Sequence, residues 1–180
     1  KGLIEAADGG TLFLDEITEM SPARQVRLRG GRQEREFIRV GGSEPVRVDV
    51  RFLAATNRNP KEAVEAGEFR QDLYYRLNVV TLSLPPLAER RDDVPVLAHF
   101  FLKRCAQRMG KKVDSISDEA MRLLTGYQYP GNVRELENVV ERGVALAKGS
   151  VLEVADLPED LRRMSLKVFR REDGRIPSLD

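Results

Sequence analysis

Two adjacent prolines, Pro85-Pro86, fall where the hydrophobic period of this chain changes, and that switch constrains its fold more than any other feature. Proline ends regular structure and stiffens a linker, so different elements are expected on its two sides. Before it, apolar residues come in short runs. Thr11-Leu12-Phe13-Leu14 is unbroken rather than alternating and follows Gly9-Gly10, which suits a strand buried on both faces of a parallel sheet. A second run, residues 48–55, begins by alternating and turns wholly apolar. Phe37-Ile38-Arg39-Val40 and Val46-Arg47-Val48 flank Gly41-Gly42-Ser43-Glu44-Pro45, the pattern of a hairpin with a glycine-rich turn. Another β-rich run, Val79-Val80-Thr81-Leu82, leads into the prolines.

Beyond the prolines the spacing is helical. Val94, Leu97, Ala98, Phe101, Leu102 and Cys105 share a stripe behind Asp92-Asp93, acids that favour a helix N-terminus. Ser117, with Ala120, Leu123 and Leu124, starts a second helix. Asn132 is expected to cap a third, carrying Val133, Leu136, Val139, Val140, Val144 and Leu146, with Gly149 closing it. A last short helix is expected over residues 155–163, and residues 164–180 read as a linker or tail. The layout is an α/β piece over residues 1–86, then a small helical bundle over 87–163.

Composition excludes several classes. In 180 residues, 30 Lys+Arg against 29 Asp+Glu leave a net charge of +1, which fits neither a polybasic nucleic-acid arm nor an acidic tail. No run reaches the ~18 apolar residues of a membrane helix, and the N-terminus does not read as a signal peptide. The single cysteine, Cys105, makes no internal disulfide, and no Cys/His cluster suggests zinc. A cytoplasmic setting without membrane contact is the expectation. Binding of nucleic acid through Arg24, Arg27, Arg29, Arg32 and Arg35 is opposed by the interleaved Glu34 and Glu36.

Four places carry candidate chemistry. Asp15-Glu16 end the first buried run, and ligands of open parallel sheets bind outside the carboxyl ends of strands. One carboxylate suits Mg²⁺ and the next an attacking water; alternatively, Asp15 caps a following helix. Thr56-Asn57 end the second run in the same way, as phosphate or water sensors or as ordinary turn residues. Arg70 and Arg76 lie six apart on an expected helix, where guanidinium forks suit developing phosphoryl charge or simply pair with Asp72. Arg134 falls in the first turn of the third bundle helix, against the dipole, so it calls for a nearby anion or a pair with Glu135 or Glu137.

In order and spacing, GGTLFLDE, QEREFIRVGG, VDVRFLAATNR, FRQDLYYRLNVV, LPPLAERRDDVP and YPGNVRELENVVERGVAL resemble the AAA+ domain of bacterial sigma-54-dependent transcriptional activators. The resemblance covers residues 1–163 and implies a partial AAA+ parallel-sheet core with a helical lid. It implies ATP and Mg²⁺ as ligands, assembly into a ring, usually a hexamer, and action on sigma-54 RNA polymerase. By motif, Asp15 and Glu16 resemble the Walker B pair, with Asp15 on Mg²⁺ and Glu16 polarising water. Asn57, helped by Thr56, resembles sensor I; Arg70 and Arg76 the arginine fingers; Arg134 the sensor II arginine. The hairpin around Gly41–Pro45 resembles the loop that moves with nucleotide state.

The sequence also departs from that family. No GxxxxGK[ST] phosphate loop occurs, since Met109-Gly110-Lys111-Lys112 lacks both the earlier glycine and the Ser/Thr. The sigma-contacting GAFTGA loop and the DNA-binding helix-turn-helix are absent too, so the chain reads as a piece that begins mid-domain. Arg24, Arg29, Gly30, Gly31 and Arg32 replace residues of an amphipathic helix, which is expected to be short, frayed or displaced. Tyr129 stands for a usual Trp and Ala88 for a usual Arg. An ATP-driven activator of transcription is the leading expectation, and a non-hydrolysing AAA+ remnant serving as an assembly module the alternative.

Overall fold

Gly9, at φ 74°, turns the chain out of a short helix, α1 (Leu3–Ala6), into the first strand, β1 (Thr11–Leu14). Positive φ costs glycine little, having no Cβ. The computed structural model describes residues 2–33, 36–38 and 44–163, and the chain divides into two units, Lys1–Leu82 and Ser83–Asp180.

In the first unit a 3-10 turn, Ile17–Glu19, leads to α2 (Pro22–Gln33), then β2 (Glu36–Ile38), β3 (Pro45–Arg47), β4 (Arg51–Ala54), α3 (Pro60–Glu65) and α4 (Gln71–Leu77). β1 and β4 pair in parallel, Leu12 opposite Phe52 and Leu14 opposite Ala54. Leu14 and Phe52 pack on a core of Ile17, Leu28, Ala63, Phe69, Leu73 and Tyr74. The side-chain period of 2 sends the intervening pair to the opposite face. There Phe13 is 59% and Leu53 47% exposed, so the expected burial of the strand on both faces is not found among the described residues. β2 and β3 form the expected antiparallel hairpin, and its turn residues 39–43 lie outside the described residues.

Two further expectations are corrected here. α2 runs through Gly30-Gly31 to Gln33 rather than stopping short. Each glycine costs about 1 kcal/mol, which the buried anchors Gln25 and Leu28 offset. Val79-Val80-Thr81-Leu82 forms no strand, and Val79, Val80, Leu82 and Leu84 lie exposed. A strand requires a partner for its N–H and C=O groups, and none of the described strands pairs with this run.

The second unit begins with a 3-10 turn, Leu87–Glu89, followed by α5 (Asp93–Met109), β5 (Ser115–Ile116), α6 (Asp118–Gly126), α7 (Asn132–Leu146) and β6 (Val151–Leu152). Ser117 caps α6, its Oγ accepting the Ala120 N–H at 3.3 Å. The helices meet over a continuous core that includes Phe101, Leu102, Leu124, Leu136, Val140 and Leu152. β5 and β6 pair in parallel, a two-residue element too short to show a period. Gly110, at φ 65°, is the C-cap of α5, so the Met109–Lys112 stretch ends a helix. Lys111 Nζ donates to the Ala145 and Ala147 carbonyls at the end of α7.

Asn132 does not cap α7. It is the first helical residue, at φ 51°, and its Oδ1 accepts the Leu87 N–H at 2.8 Å. Gly131 holds the cap position, and its N–H is taken by Glu135 Oε2 at 2.7 Å. At the other end α7 closes at Ala147, not Gly149, and Leu146 is exposed rather than on the stripe. The expected last helix is divided into a 3-10 turn, Val154–Asp156, and a helical segment over 159–163. Pro158 causes the break, because it pushes the preceding Leu157 out of the helical region, to ψ 155°. The expected tail, 164–180, lies outside the described residues.

Candidate functional site

The parallel register of β1 and β4 sets the ends of both strands side by side. Past them the ladder continues: Ala55 N–H donates to Leu14 O at 2.8 Å, and Ile17 N–H to Ala55 O at 3.0 Å. Asp15-Glu16 and Thr56-Asn57 therefore leave the same end of the sheet. Thr18 and Thr56 join their hydroxyls at 2.7 Å, and Thr56 Oγ1 accepts the Arg58 N–H at 3.1 Å, which shapes the turn carrying Asn57. Asp15, Glu16 and Asn57 are exposed.

Glu16 sits in the left-handed region, φ 48° and ψ 47°, a conformation that costs a non-glycine residue of order 1 kcal/mol or more. Asp15 Oδ1 accepts the Glu16 N–H at 3.0 Å, and the following 3-10 turn has no side-chain cap, which removes the capping alternative for Asp15. The donor set here is all oxygen. Such a set fits Mg²⁺, which binds one or two carboxylates and completes its shell with water and phosphate. Among the described residues no group of three or more His, Cys, Asp and Glu forms a protein-only metal cage.

The arginines are held separately. Arg70 is the N-cap of α4 and lies exposed, its fork on Asp72, Nε–Oδ1 3.0 Å and Nη2–Oδ2 2.9 Å. The hydrogen bonds to Asp72, then its charge, raise the Arg70 pKa further. Arg76, in the last turn, is half-buried beside an apolar crevice of Leu28, Phe52, Leu73 and Leu77. In the second unit Arg134 is exposed in the first turn of α7. Neither suggested acid engages it, because Glu137 pairs with Arg104 and Glu135 with the Gly131 N–H.

Two residues at this end were not singled out from the sequence. Arg58 bridges Glu68 and Glu19, which together raise its pKa. Gln25 is 1% exposed, and all its polar functions are used. Its Nε2 donates to Met20 O at 2.8 Å and Glu68 O at 2.9 Å, while its Oε1 accepts the Arg70 N–H at 2.9 Å. The signal for it was a glutamine three positions from Leu28, on the apolar face of α2.

Comparison with known proteins bears on both units. A family model described as the Sigma-54 interaction domain matches residues 1–83, and one described as the AAA+ ATPase lid domain matches residues 88–173. The transcriptional regulatory protein ZraR of Klebsiella oxytoca is 55% identical over 158 residues, 88% of this chain and 36% of that protein. The nitrogen fixation protein AnfA of Azotobacter vinelandii is 54% identical over 162 residues, 90% of this chain and 30% of that protein. The chain thus spans about a third of the length of these relatives. Among solved structures, NtrX from Brucella abortus in complex with ATP superposes with TM-score 0.83 at 37% identity, covering 91% of this chain and 38% of that one. RuvB from Thermotoga maritima, at 18% identity and TM-score 0.53, shares the fold.

Proposed function

The chain belongs to the AAA+ sigma-54 interaction domain family, and from that premise we propose that it is the hydrolytic and coupling part of an ATP-driven activator of sigma-54 RNA polymerase. The observation that carries this reading is the parallel pairing of β1 with β4, which sets two acids and a Thr-Asn pair at one sheet end. Phosphoryl transfer to water needs little covalent help from a protein; it needs positioning and charge stabilisation.

In this reading Asp15 and water hold Mg²⁺, which when bound neutralises charge on the phosphates. Glu16 accepts a hydrogen bond from the attacking water and orients it in line with the γ-phosphate. Asn57, its turn fixed by Thr56, donates to the phosphate or the water. Arg70 and Arg76 serve the nucleotide of an adjacent subunit in a ring, proposed as a hexamer, and Arg134 acts as sensor II. Contact with sigma-54 would run through a loop outside these 180 residues, and contact with DNA through a further domain. The setting is cytoplasmic in this reading; among the described residues no helix is long and apolar enough to cross a membrane.

Two measurements test it. In the full-length protein, Glu16→Gln is expected to lower ATP turnover by two or more orders of magnitude while leaving nucleotide affinity within a few-fold, as for loss of a water-orienting group. Equal losses in both would remove Glu16 from the proposed role. For the 180-residue chain, calorimetry with ATP and Mg²⁺ is expected to show weak binding and no turnover, since it holds no phosphate loop. Micromolar affinity would show that the loop is dispensable.

A further inference from the structure

We propose that Gln25 is a positioning residue for Arg70, fixing where that guanidinium is presented to the neighbouring subunit. This rests on reading Arg70 as a group that acts across a subunit boundary. Three observations support it. The Gln25 amide is buried, and its three bonds join two segments of backbone distant in the chain, one at Met20 and one at Glu68–Arg70. Met20 O ends the turn that follows Asp15-Glu16, Glu68 O lies two residues before Arg70, and the Arg70 N–H is itself the third partner.

The N-terminus of α4 otherwise has no side-chain cap, so Gln25 is what ties the start of this helix to α2. Arg58 adds a parallel tie, from Glu19 on the acid-pair side to Glu68 on the arginine side. The turn that follows one subunit's acid pair and the start of the helix that carries its arginine are therefore joined by a buried, hydrogen-bonded amide. A buried amide cannot slide without leaving a polar group unpaired, and this makes the spacing stiff.

The mechanism predicts a loss in turnover and not in nucleotide binding. Displacing a charge-stabilising group by about 1 Å costs on the order of a hundredfold in rate. The test uses the full-length protein with Gln25→Met, which keeps the shape and removes all three bonds. Gln25→Glu, which keeps an acceptor for the Arg70 N–H, is the second variant. Gln25→Met is expected to lower kcat by roughly 10- to 100-fold with ATP affinity within twofold. Gln25→Glu, which turns a carboxylate oxygen on the Met20 and Glu68 carbonyls, is expected to lose at least as much.

Mixing separates a role through Arg70 from a role at the protein's own site. Gln25→Met subunits are mixed with Glu16→Gln subunits, and Arg70→Ala with Glu16→Gln as the reference. A Gln25→Met subunit next to a Glu16→Gln subunit forms one site with an intact acid pair and an intact arginine. Turnover well above the sum of the two separate variants is the expected result. Recovery with Arg70→Ala but not with Gln25→Met would overturn the proposal and leave the role of Arg70 standing. Recovery with neither would overturn the role of Arg70 first, and the proposal with it. Unchanged kcat in Gln25→Met, or loss of folding in both Gln25 variants by circular dichroism, would also overturn it.

Discussion

Cys105, on α5, lies at 0% exposure, and burial, then the charge of Glu141, raises its thiol pKa against the opposing pull of Arg108. Tyr129 is buried as well, its hydroxyl donating to Leu124 O at 2.7 Å, and burial first of all holds its pKa far above the usual phenol range. Both groups favour the protonated form when folded. Their contribution to stability is therefore whole below the unfolded pKa values, about 8.5 for the thiol and 10 for the phenol, and is lost as pH rises through the folded ones. The denaturation midpoint of the second unit is expected to fall above about pH 9. Iodoacetamide at pH 8 is expected to reach Cys105 only on unfolding. Labelling of the folded chain at the rate of a free thiol would contradict this.

The helices carry their own tests. Gly143 lies buried in α7, and a Cβ there would stand 2.7 Å from Leu152 Cδ1. Helix propensity alone would make Gly143→Ala stabilising by about 1 kcal/mol, but overpacking costs about 1–3 kcal/mol, so a net loss is expected in urea titration. Asn132 ties the first residue of α7 to the Leu87 N–H, just past the prolines. Asn132→Leu strands that N–H and is expected to cost about 1–3 kcal/mol, while Asn132→Asp, which keeps the acceptor, costs less. Equal losses for the two would mean that the bond contributes nothing. In the first unit α2 shows the converse, for among the described residues its buried side chains are Gln25 and Leu28, although its sequence departs from the family pattern.

At the scale of the whole chain the two units have separate cores, one spanning Ile17 to Tyr74 and the other Leu87 to Leu161. The second core is much the larger, so the transitions are not expected to coincide. Hydrogen exchange in rising urea is expected to expose the first unit before the second, and simultaneous loss of protection would refute this. Val79, Val80 and Leu82 are 71–86% exposed. Replacing Val80 and Leu82 by serine is expected to shift stability by less than about 0.5 kcal/mol each and to reduce light scattering by the concentrated chain.

What the sequence determined by itself is what short-range pattern can encode. The Ser117 cap and the α7 stripe from Leu136 to Val144 are relations within one element, and they stand in the structure. Asp15-Glu16 and Thr56-Asn57 drew attention as polar groups closing apolar runs, while Arg70, Arg76 and Arg134 rested on helical positions and the family resemblance. Only the tertiary structure decided that β1 and β4 are neighbours, that the 79–82 run stays unpaired, and that Asn132 bonds Leu87 rather than its own helix. It alone placed Gln25 against Arg70, 45 positions away. Strand pairing and buried hydrogen bonds join segments distant in the chain, and a buried polar atom takes whichever partner folding brings within 3 Å.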